Sequence, residues 1–119
     1  MKAYFINAKD ELIAETDVKD YYHKLELLNC RMLELYPYSV NGNDIWTDEE
    51  GNLKEYNYFF ELDGKYIVSG NAVIVSCDDE GESVDVKDLT IEELKSRVTF
   101  LGKRYIKSNG MGFSIREYQ

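Results

Sequence analysis

Short β-prone runs separated by turn residues dominate this chain and constrain its fold more than any other feature. Residues 2–7 (KAYFIN) and the LIAET run that follows the AKDE turn predict a first hairpin. Residues 31–40 (RMLELYPYSV) alternate in polarity and predict a strand, with Pro37 at its edge or end. Two more runs flank the DEEGN turn, and a last pair ends in AVIVSC, with turns at DGK and SGN. Together these runs predict a sheet-rich domain.

Two other segments have the spacing of helices. In the first, Thr16 or Asp17 can cap a helix of about eleven residues, and its apolar positions are Val18, Tyr21, Tyr22, Leu25 and Leu28. In the second, Thr90 and Glu93 form a capping box at the start of a helix that Gly102 can end. Its predicted apolar stripe consists of Ile91, Leu94, Val98 and Leu101.

The order of these elements, about ββαβββββαβ, is typical of an α+β fold. With 119 residues the chain can build one core but not two. We therefore predict a single small domain over residues 1–119, mainly an antiparallel sheet with two helices packed on it. Residues 95–119 form a basic C-terminal extension that contains the end of the last helix and a closing strand, MGFSIREY.

The sequence contains no sign of a membrane span or a secretory signal. No apolar run approaches the roughly 18–20 residues that a spanning helix needs, and the N-terminal segment has no cleavage site of small residues. Both features predict a cytoplasmic protein that does not bind membranes. In that compartment Cys30 and Cys77 are predicted to be buried thiols and not a disulfide.

Charge is distributed unevenly along the chain. The net charge is −9, of which residues 1–43 contribute −2, residues 44–93 contribute −12 and residues 94–119 contribute +5. Direct binding to nucleic acid is not expected, because a phosphate backbone attracts Lys and Arg. An acidic middle and a basic tail are the main electrostatic features.

Motifs for catalysis or metal binding are weak. If Gly81 is aligned to the sixth position of a helix-loop-helix calcium loop, Lys87 occupies the place of the bidentate glutamate. His23 and Cys30 are seven residues apart, about 10 Å along a helix, which is too far for a thiolate–imidazole pair. The densest carboxylate pairs lie in predicted turns, where water solvates them. The chain is therefore predicted to be a non-enzyme without cofactor or metal, although a weak divalent site at a turn stays open.

Residues 76–94 contain eight carboxylates and one lysine. One interpretation is a solvated loop that leads into a capped helix. The other joins this run to the DEEGN turn as one negative face that imitates phosphates and binds a basic surface. Its residues would be Asp48, Glu49, Glu50, Asp78, Asp79, Glu80, Glu82 and Asp85. Aromatic anchors for such an interface would be Tyr36, Tyr38, Trp46 and Tyr56.

The ordered series LELYPY, DEEGNLKEYN, SGNAVIVSCDDEGE and DLTIEEL resembles the phage- and plasmid-borne domain of unknown function 3846. The resemblance covers roughly residues 16–95, and the positions that carry it are Glu34, Glu50, Gly51, Leu53, Lys54, Asn57, Gly70, Val73, Ile74, Val75, Asp79, Glu80, Gly81, Leu89 and Thr90. It implies no catalytic residue. It implies membership of the small accessory proteins of mobile elements, many of which block host nucleases.

Charge and resemblance together lead to one principal hypothesis and two alternatives. The principal one is a cytoplasmic inhibitor, of anti-CRISPR or anti-restriction type, that binds a basic nucleic-acid-binding surface of a bacterial host protein. The first alternative is a module that binds or sequesters a small ligand or nucleotide, through a tyrosine and the basic residues Lys103, Arg104, Lys107 and Arg116. The second is an accessory protein without an inhibitory role. A monomer and a homodimer are both compatible with the sequence.

Overall fold

The structure, a computed structural model, describes residues 1–51, 56–108 and 113–117, with side chains as far as Tyr105. The described residues form two helices, α1 (Tyr21–Leu28) and α2 (Ile91–Arg97). They also form ten strands: β1 (Lys2–Asn7), β2 (Leu12–Asp17), β3 (Leu33–Leu35), β4 (Asp44–Asp48), β5 (Tyr56–Leu62), β6 (Tyr66–Ser69), β7 (Ala72–Cys77), β8 (Ser83–Val84), β9 (Val98–Ser108) and β10 (Phe113–Glu117).

The strands belong to two sheets. The first sheet has the order β2-β1-β7-β4-β3, with β8 paired to the end of β7. The second has the order β10-β9-β5-β6. Every described strand pair is antiparallel, so the predicted α+β fold with a mainly antiparallel sheet is confirmed.

Strand β7 lies at the centre of the first sheet and is covered on both faces. One face contributes Ile74 to a core shared with the second sheet and α2, which supply Phe60, Leu62 and Leu94. The opposite face contributes Val73 and Val75, which pack against α1 through Leu28. Because both faces are covered, β7 is continuously apolar from Ala72 to Val75 instead of alternating.

Helix α1 differs from its prediction. Thr16 and Asp17 are not its cap, because β2 continues to Asp17 in register with Lys2. The cap is Asp20, whose side chain accepts a hydrogen bond from the backbone N–H of His23, and α1 spans only eight residues. The side that it buries contains Lys24 and Leu28. The tyrosines of the expected stripe are instead exposed, Tyr21 at 52% and Tyr22 at 75%.

Helix α2 begins as predicted and ends early. The Thr90 hydroxyl accepts a hydrogen bond from the N–H of Glu93 at 3.1 Å, as the capping box requires. The helix stops at Arg97, and Val98 starts β9 by pairing with Leu62 of β5. The predicted continuation to Leu101 was therefore wrong, because β-branched residues in this segment favour the strand and an open edge of β5 accepts them. Within the described residues, neither helix is long and apolar enough to cross a bilayer.

Candidate interaction surface

The most acidic part of the chain forms the β7–β8 hairpin, residues 77–85, which we call the acidic hairpin. Its loop is organised by Asp78, whose Oδ1 accepts hydrogen bonds from the N–H groups of Glu80 and Glu82, both at 2.9 Å. Backbone bonds from Asp78 N to Glu82 O at 2.9 Å and from Gly81 N to Asp78 O at 3.1 Å close the loop. The side chains of Asp79, Glu80 and Glu82 are exposed on this fixed backbone.

Further bonds fix the acidic hairpin to the rest of the domain. The Asp85 carboxylate accepts a hydrogen bond from the N–H of Lys2 at 2.8 Å, and Val86 N donates to Lys2 O at 2.9 Å. On the other side, the Lys24 ammonium of α1 donates to the Ser83 hydroxyl at 2.6 Å. The hairpin is thus tied both to β1 and to α1.

Negative charge predominates at this end of the first sheet, although Lys24 and Lys87 also lie there. Among the described residues, no ion pair includes Asp79, Glu80 or Glu82. Asp44, the first residue of β4, lies at the same end. The Asp44 carboxylate raises the pKa of the Cys77 thiol, partial desolvation and Asp78 add to that rise, and Lys87 opposes it. The negative potential of this region therefore disfavours the thiolate form of Cys77. Cys77 is exposed, whereas the sequence predicted a buried thiol.

The second acidic turn lies at the opposite end of the sheet. In the antiparallel register of β4 and β7, Thr47 pairs with Ala72, so Asp48 lies near the start of β7 and Asp78 follows its end. The rise of a strand separates the two turns by about 20 Å. Glu50 also forms an ion pair with Arg31 at 2.6 Å, and Asp48 accepts a bond from Glu50 N at 2.9 Å. The structure therefore does not bring Asp48, Glu49 and Glu50 next to the acidic hairpin, and one binding face that includes them stays a prediction.

The predicted aromatic anchors do not gather beside the acidic hairpin. The hydroxyl of Tyr36 donates to Ile67 O at 2.9 Å, and that of Tyr38 donates to the Asp63 carboxylate at 2.7 Å. Tyr56 lies on the second sheet, 45% exposed, with the Lys103 ammonium 3.9 Å from its ring centroid. Trp46 lies beneath the Lys24 ammonium on the face covered by α1, and it alone of the four is near the hairpin.

Two aromatic residues from the predicted apolar positions of the first helix are exposed at the acidic end. Helix α1 begins at this end, because Val18 N bonds to Met1 O and the Lys24 side chain reaches Ser83. Its last residue, Leu28, lies near Gly70 at the other end of the sheet. Tyr21 and Tyr22 occupy its first turn and contact each other edge to face at 5.8 Å. The signal that could have located them is Asp20, which as the N-cap places both tyrosines in the first helical turn.

Three cavities lined by described residues bear on the alternative ligand site of basic residues. A hollow of about 730 Å³ follows the outer side of α1, and cavities of about 260 and 230 Å³ lie on either side of Asp48. Neither Lys103 nor Arg104 is among the described residues that line these three. Lys107 and Arg116 lie on β9 and β10, and their side chains are outside the described residues. In the described part of the chain, no three His, Cys, Asp or Glu side chains converge to hold a metal ion.

Several positions of the resemblance meet in one polar cluster at the far end of the domain. The Asn57 amide donates to Gly51 O at 3.3 Å and to the Ser69 hydroxyl at 2.9 Å. A Cβ atom at Gly70 would lie 3.3 Å from Asn57 Nδ2. These contacts give Gly51, Asn57 and Gly70 a structural role in joining the start of β5 to the β6–β7 turn. Leu53 and Lys54 lie outside the described residues.

Comparison with known protein families extends the resemblance at both ends. No significant match was found among curated proteins or among solved structures. Residues 1–99 match a family profile, and this range includes both helices, the first sheet and the acidic hairpin but omits most of β9 and all of β10. The chain belongs to the family described as Domain of unknown function (DUF3846).

Proposed function

We propose that this domain is a small non-enzymatic binding protein of a phage or mobile element that engages a basic surface on a host protein through its acidic end. The acidic end comprises the acidic hairpin, Asp44 and the exposed Tyr21–Tyr22 pair. The observation that carries the proposal is the fixed loop, in which one carboxylate binds two backbone N–H groups and three neighbouring acidic side chains face solvent.

A fixed backbone matters because carboxylates that imitate phosphates must keep their spacing before the partner arrives. A flexible acidic loop would lose conformational entropy on binding. The acidic hairpin has already lost much of that freedom through the bonds to Asp78, Lys2 and Lys24. Its field attracts a positively charged channel over about one Debye length, so association should be fast at low salt and slow at high salt.

Tyr21 and Tyr22 add the apolar component that a charged surface lacks. Exposed aromatic side chains are enriched among the residues that contribute most to binding energy at protein interfaces. Because Tyr22 is 75% exposed, burying its ring against a partner would remove a large apolar area from water. Tyrosine rings in general can also stack on arginine guanidinium groups, which are common on nucleic-acid-binding surfaces.

The partner that fits this surface best is a nucleic-acid-binding enzyme of host defence, such as a CRISPR or restriction nuclease. Such an enzyme presents a basic channel to phosphates, and a row of fixed carboxylates can occupy it and exclude DNA. The proposed location is the cytoplasm of the bacterial host, where these nucleases act. The proposal applies equally to a monomer and to a homodimer.

The test measures inhibition of DNA cleavage by a panel of purified defence nucleases at about 50 mM and about 500 mM salt. The test variant combines Asp79→Lys, Glu80→Lys and Glu82→Lys and keeps Asp78, which holds the loop. The control combines Glu11→Lys, Glu34→Lys and Glu49→Lys, which changes the net charge equally at exposed sites away from the acidic end. We expect wild type and control to inhibit at low salt, and the test variant to lose inhibition while its circular dichroism stays unchanged.

Equal loss of inhibition in both triple variants would show that net charge, and not the acidic hairpin, is recognised. Full inhibition by both would reject the acidic hairpin as the binding surface. Absence of inhibition at either salt concentration would reject the nuclease-inhibitor function. A melting temperature raised by nucleotides in that case would favour the ligand-sequestering alternative, and an unchanged one would favour an accessory protein without inhibitory role.

A further inference from the structure

Lys24 is a buried lysine that touches the strand next to the acidic loop. Its relative exposure is 5%, although it lies on a helix whose outer side faces solvent. The ammonium donates to the Ser83 hydroxyl at 2.6 Å and lies 4.9 Å from the centroid of the Trp46 ring. Ser83 is the first residue of β8 and directly follows Glu82.

Stability alone does not explain a lysine at this position. Burial lowers the pKa of Lys24, and the Asp44 carboxylate opposes this shift only in part. Removing an ammonium from water is costly, and apolar side chains of similar volume are often equally or more stabilising at such sites. A methionine could fill the same space against Trp46 with favourable sulfur–aromatic contact. Packing against Trp46 therefore does not require the charge.

The charged hydrogen bond adds a side-chain attachment at the start of β8, whose other anchor is the segment after it, where Asp85 and Val86 bond to Lys2. The strand has only two residues and pairs with β7 solely through Ser76–Val84 and Cys77–Ser83. A strand this short gains little from its ladder. The bond from Lys24 attaches β8 to α1, which also carries Tyr21 one turn earlier, so the same side chain sets the hairpin and the aromatic pair relative to each other.

We propose that Lys24 is a positioning residue that fixes the acidic hairpin relative to α1 for binding to its basic partner. This inference rests on the proposed function. Its prediction for binding is opposite to the one that follows from the net charge alone. Removing a positive charge from the chain should strengthen attraction to a basic partner, but removing this one should weaken binding because the carboxylates lose their fixed arrangement.

The experiment compares Lys24→Met with Lys19→Met, which changes the net charge equally at an exposed lysine of the same segment. Amide hydrogen exchange is followed by NMR at Asp78, Glu80, Gly81 and Glu82. We expect about tenfold faster exchange of these amides in Lys24→Met, the effect of losing one charged hydrogen bond on local opening, and no change in Lys19→Met. Ser83→Ala removes the acceptor without any change of charge, and it should accelerate exchange as well, even if Lys24→Met fails to fold.

Thermal unfolding separates positioning from general stabilisation. The melting temperature of Lys24→Met should equal or exceed that of the wild type, because the buried ammonium is gone, while exchange in the acidic hairpin accelerates. Unchanged exchange in both Lys24→Met and Ser83→Ala would overturn the proposal.

Binding to a nuclease that the wild-type chain inhibits supplies the functional measurement. We expect about tenfold weaker inhibition by Lys24→Met and inhibition by Lys19→Met that is equal to or tighter than that of the wild type. Faster exchange with undiminished inhibition would overturn the positioning role and leave the proposed function intact. If no nuclease is inhibited, the proposed function fails, and hydrogen exchange alone decides whether Lys24 fixes the hairpin.

Discussion

Replacing Asp63 with asparagine tests the polar network that joins α2 to the β5–β6 turn. The Asp63 carboxylate accepts hydrogen bonds from Arg97 Nε at 2.6 Å and from Arg97 Nη2 at 2.8 Å, one on each oxygen. The hydroxyl of Tyr38 donates to the second oxygen at 2.7 Å, and the Tyr38 ring stacks on Tyr66 with centroids 3.8 Å apart. Asparagine keeps the size of the side chain and tolerates the positive φ of 58° at this position.

The size of the effect follows from the geometry. A bidentate pair between arginine and a carboxylate is stronger than an ordinary surface ion pair, and hydrogen bonds to charged groups contribute about 1.5–3 kcal/mol each. The two side chains are 22% and 24% exposed, so solvent screens part of that interaction. We expect Asp63→Asn to lower the free energy of unfolding by about 1–2 kcal/mol at neutral pH.

The assay is urea denaturation between pH 3 and pH 7, with Asp79→Asn as a control that makes the same chemical change at an exposed carboxylate. Arg97 holds the pKa of Asp63 below its ordinary value of 3.8. The folded state therefore favours the ionised carboxylate, so its contribution is present above pH 3.8 and is lost as the pH falls through the lower folded value. The difference in the free energy of unfolding between wild type and Asp63→Asn should become smaller in that acidic range. Equal stability of the two proteins at pH 7, or a gap that stays constant down to pH 3, would refute this reasoning.

Two further predictions concern other parts of the fold. Asn43 is fully buried and bonds to Lys87 O at 2.7 Å, Lys87 N at 2.9 Å and Val40 O at 2.9 Å, so Asn43→Ala should reduce the free energy of unfolding by about 3 kcal/mol. A loss under about 1 kcal/mol in guanidinium denaturation would contradict it. Gly70→Ala should cost about 1–2 kcal/mol, because φ is 79° and the new Cβ would crowd Asn57. Gly81→Ala has a similar φ of 83° and no atom within 4 Å, so equal losses in the two alanine variants would show that the Asn57 contact is irrelevant.

Local sequence signals predicted which helices and strands are present better than they predicted the residues at which these begin and end. The apolar runs and turn residues located most strands but not β8 or the start of β9, and the capping box located the start of α2 at Thr90. The end of α2 could not be read locally, because Val98 fits the helical stripe and also fits a strand. The pairing with Leu62 decides between them, and that partner is distant in the sequence. At α1, three possible caps lie within five residues, and the continuation of β2 to Asp17 excludes the first two.

In the candidate site, too, some features follow from the local sequence, and others depend on contacts between residues that are distant in the sequence. The exposed acidic loop follows from the local sequence, because acids clustered around Gly81 predict a solvated turn, but β8, which makes this segment a hairpin, was not predicted. Whether the DEEGN turn joins it depends on the direction and register of β4 relative to β7, which no local pattern encodes. The role of Lys24 was hidden for a similar reason. A lysine on a helix is normally exposed, and only the packing of α1 over Trp46 and Ser83 buries it.

The central position of β7 has a consequence for the synthesis of the chain. Strand β7 separates β1 from β4 in the first sheet, yet it is made after both of them. The hairpin of β1 and β2 and the pair of β3 and β4 must therefore wait, with unpaired edges, until the ribosome has reached Cys77. At roughly 5–20 residues per second this delay lasts several seconds, and it leaves two strand edges open to other chains. We therefore expect nascent chains that end before Ala72 to be held by chaperones or degraded, and folding to become cooperative only when β7 enters between its two neighbours.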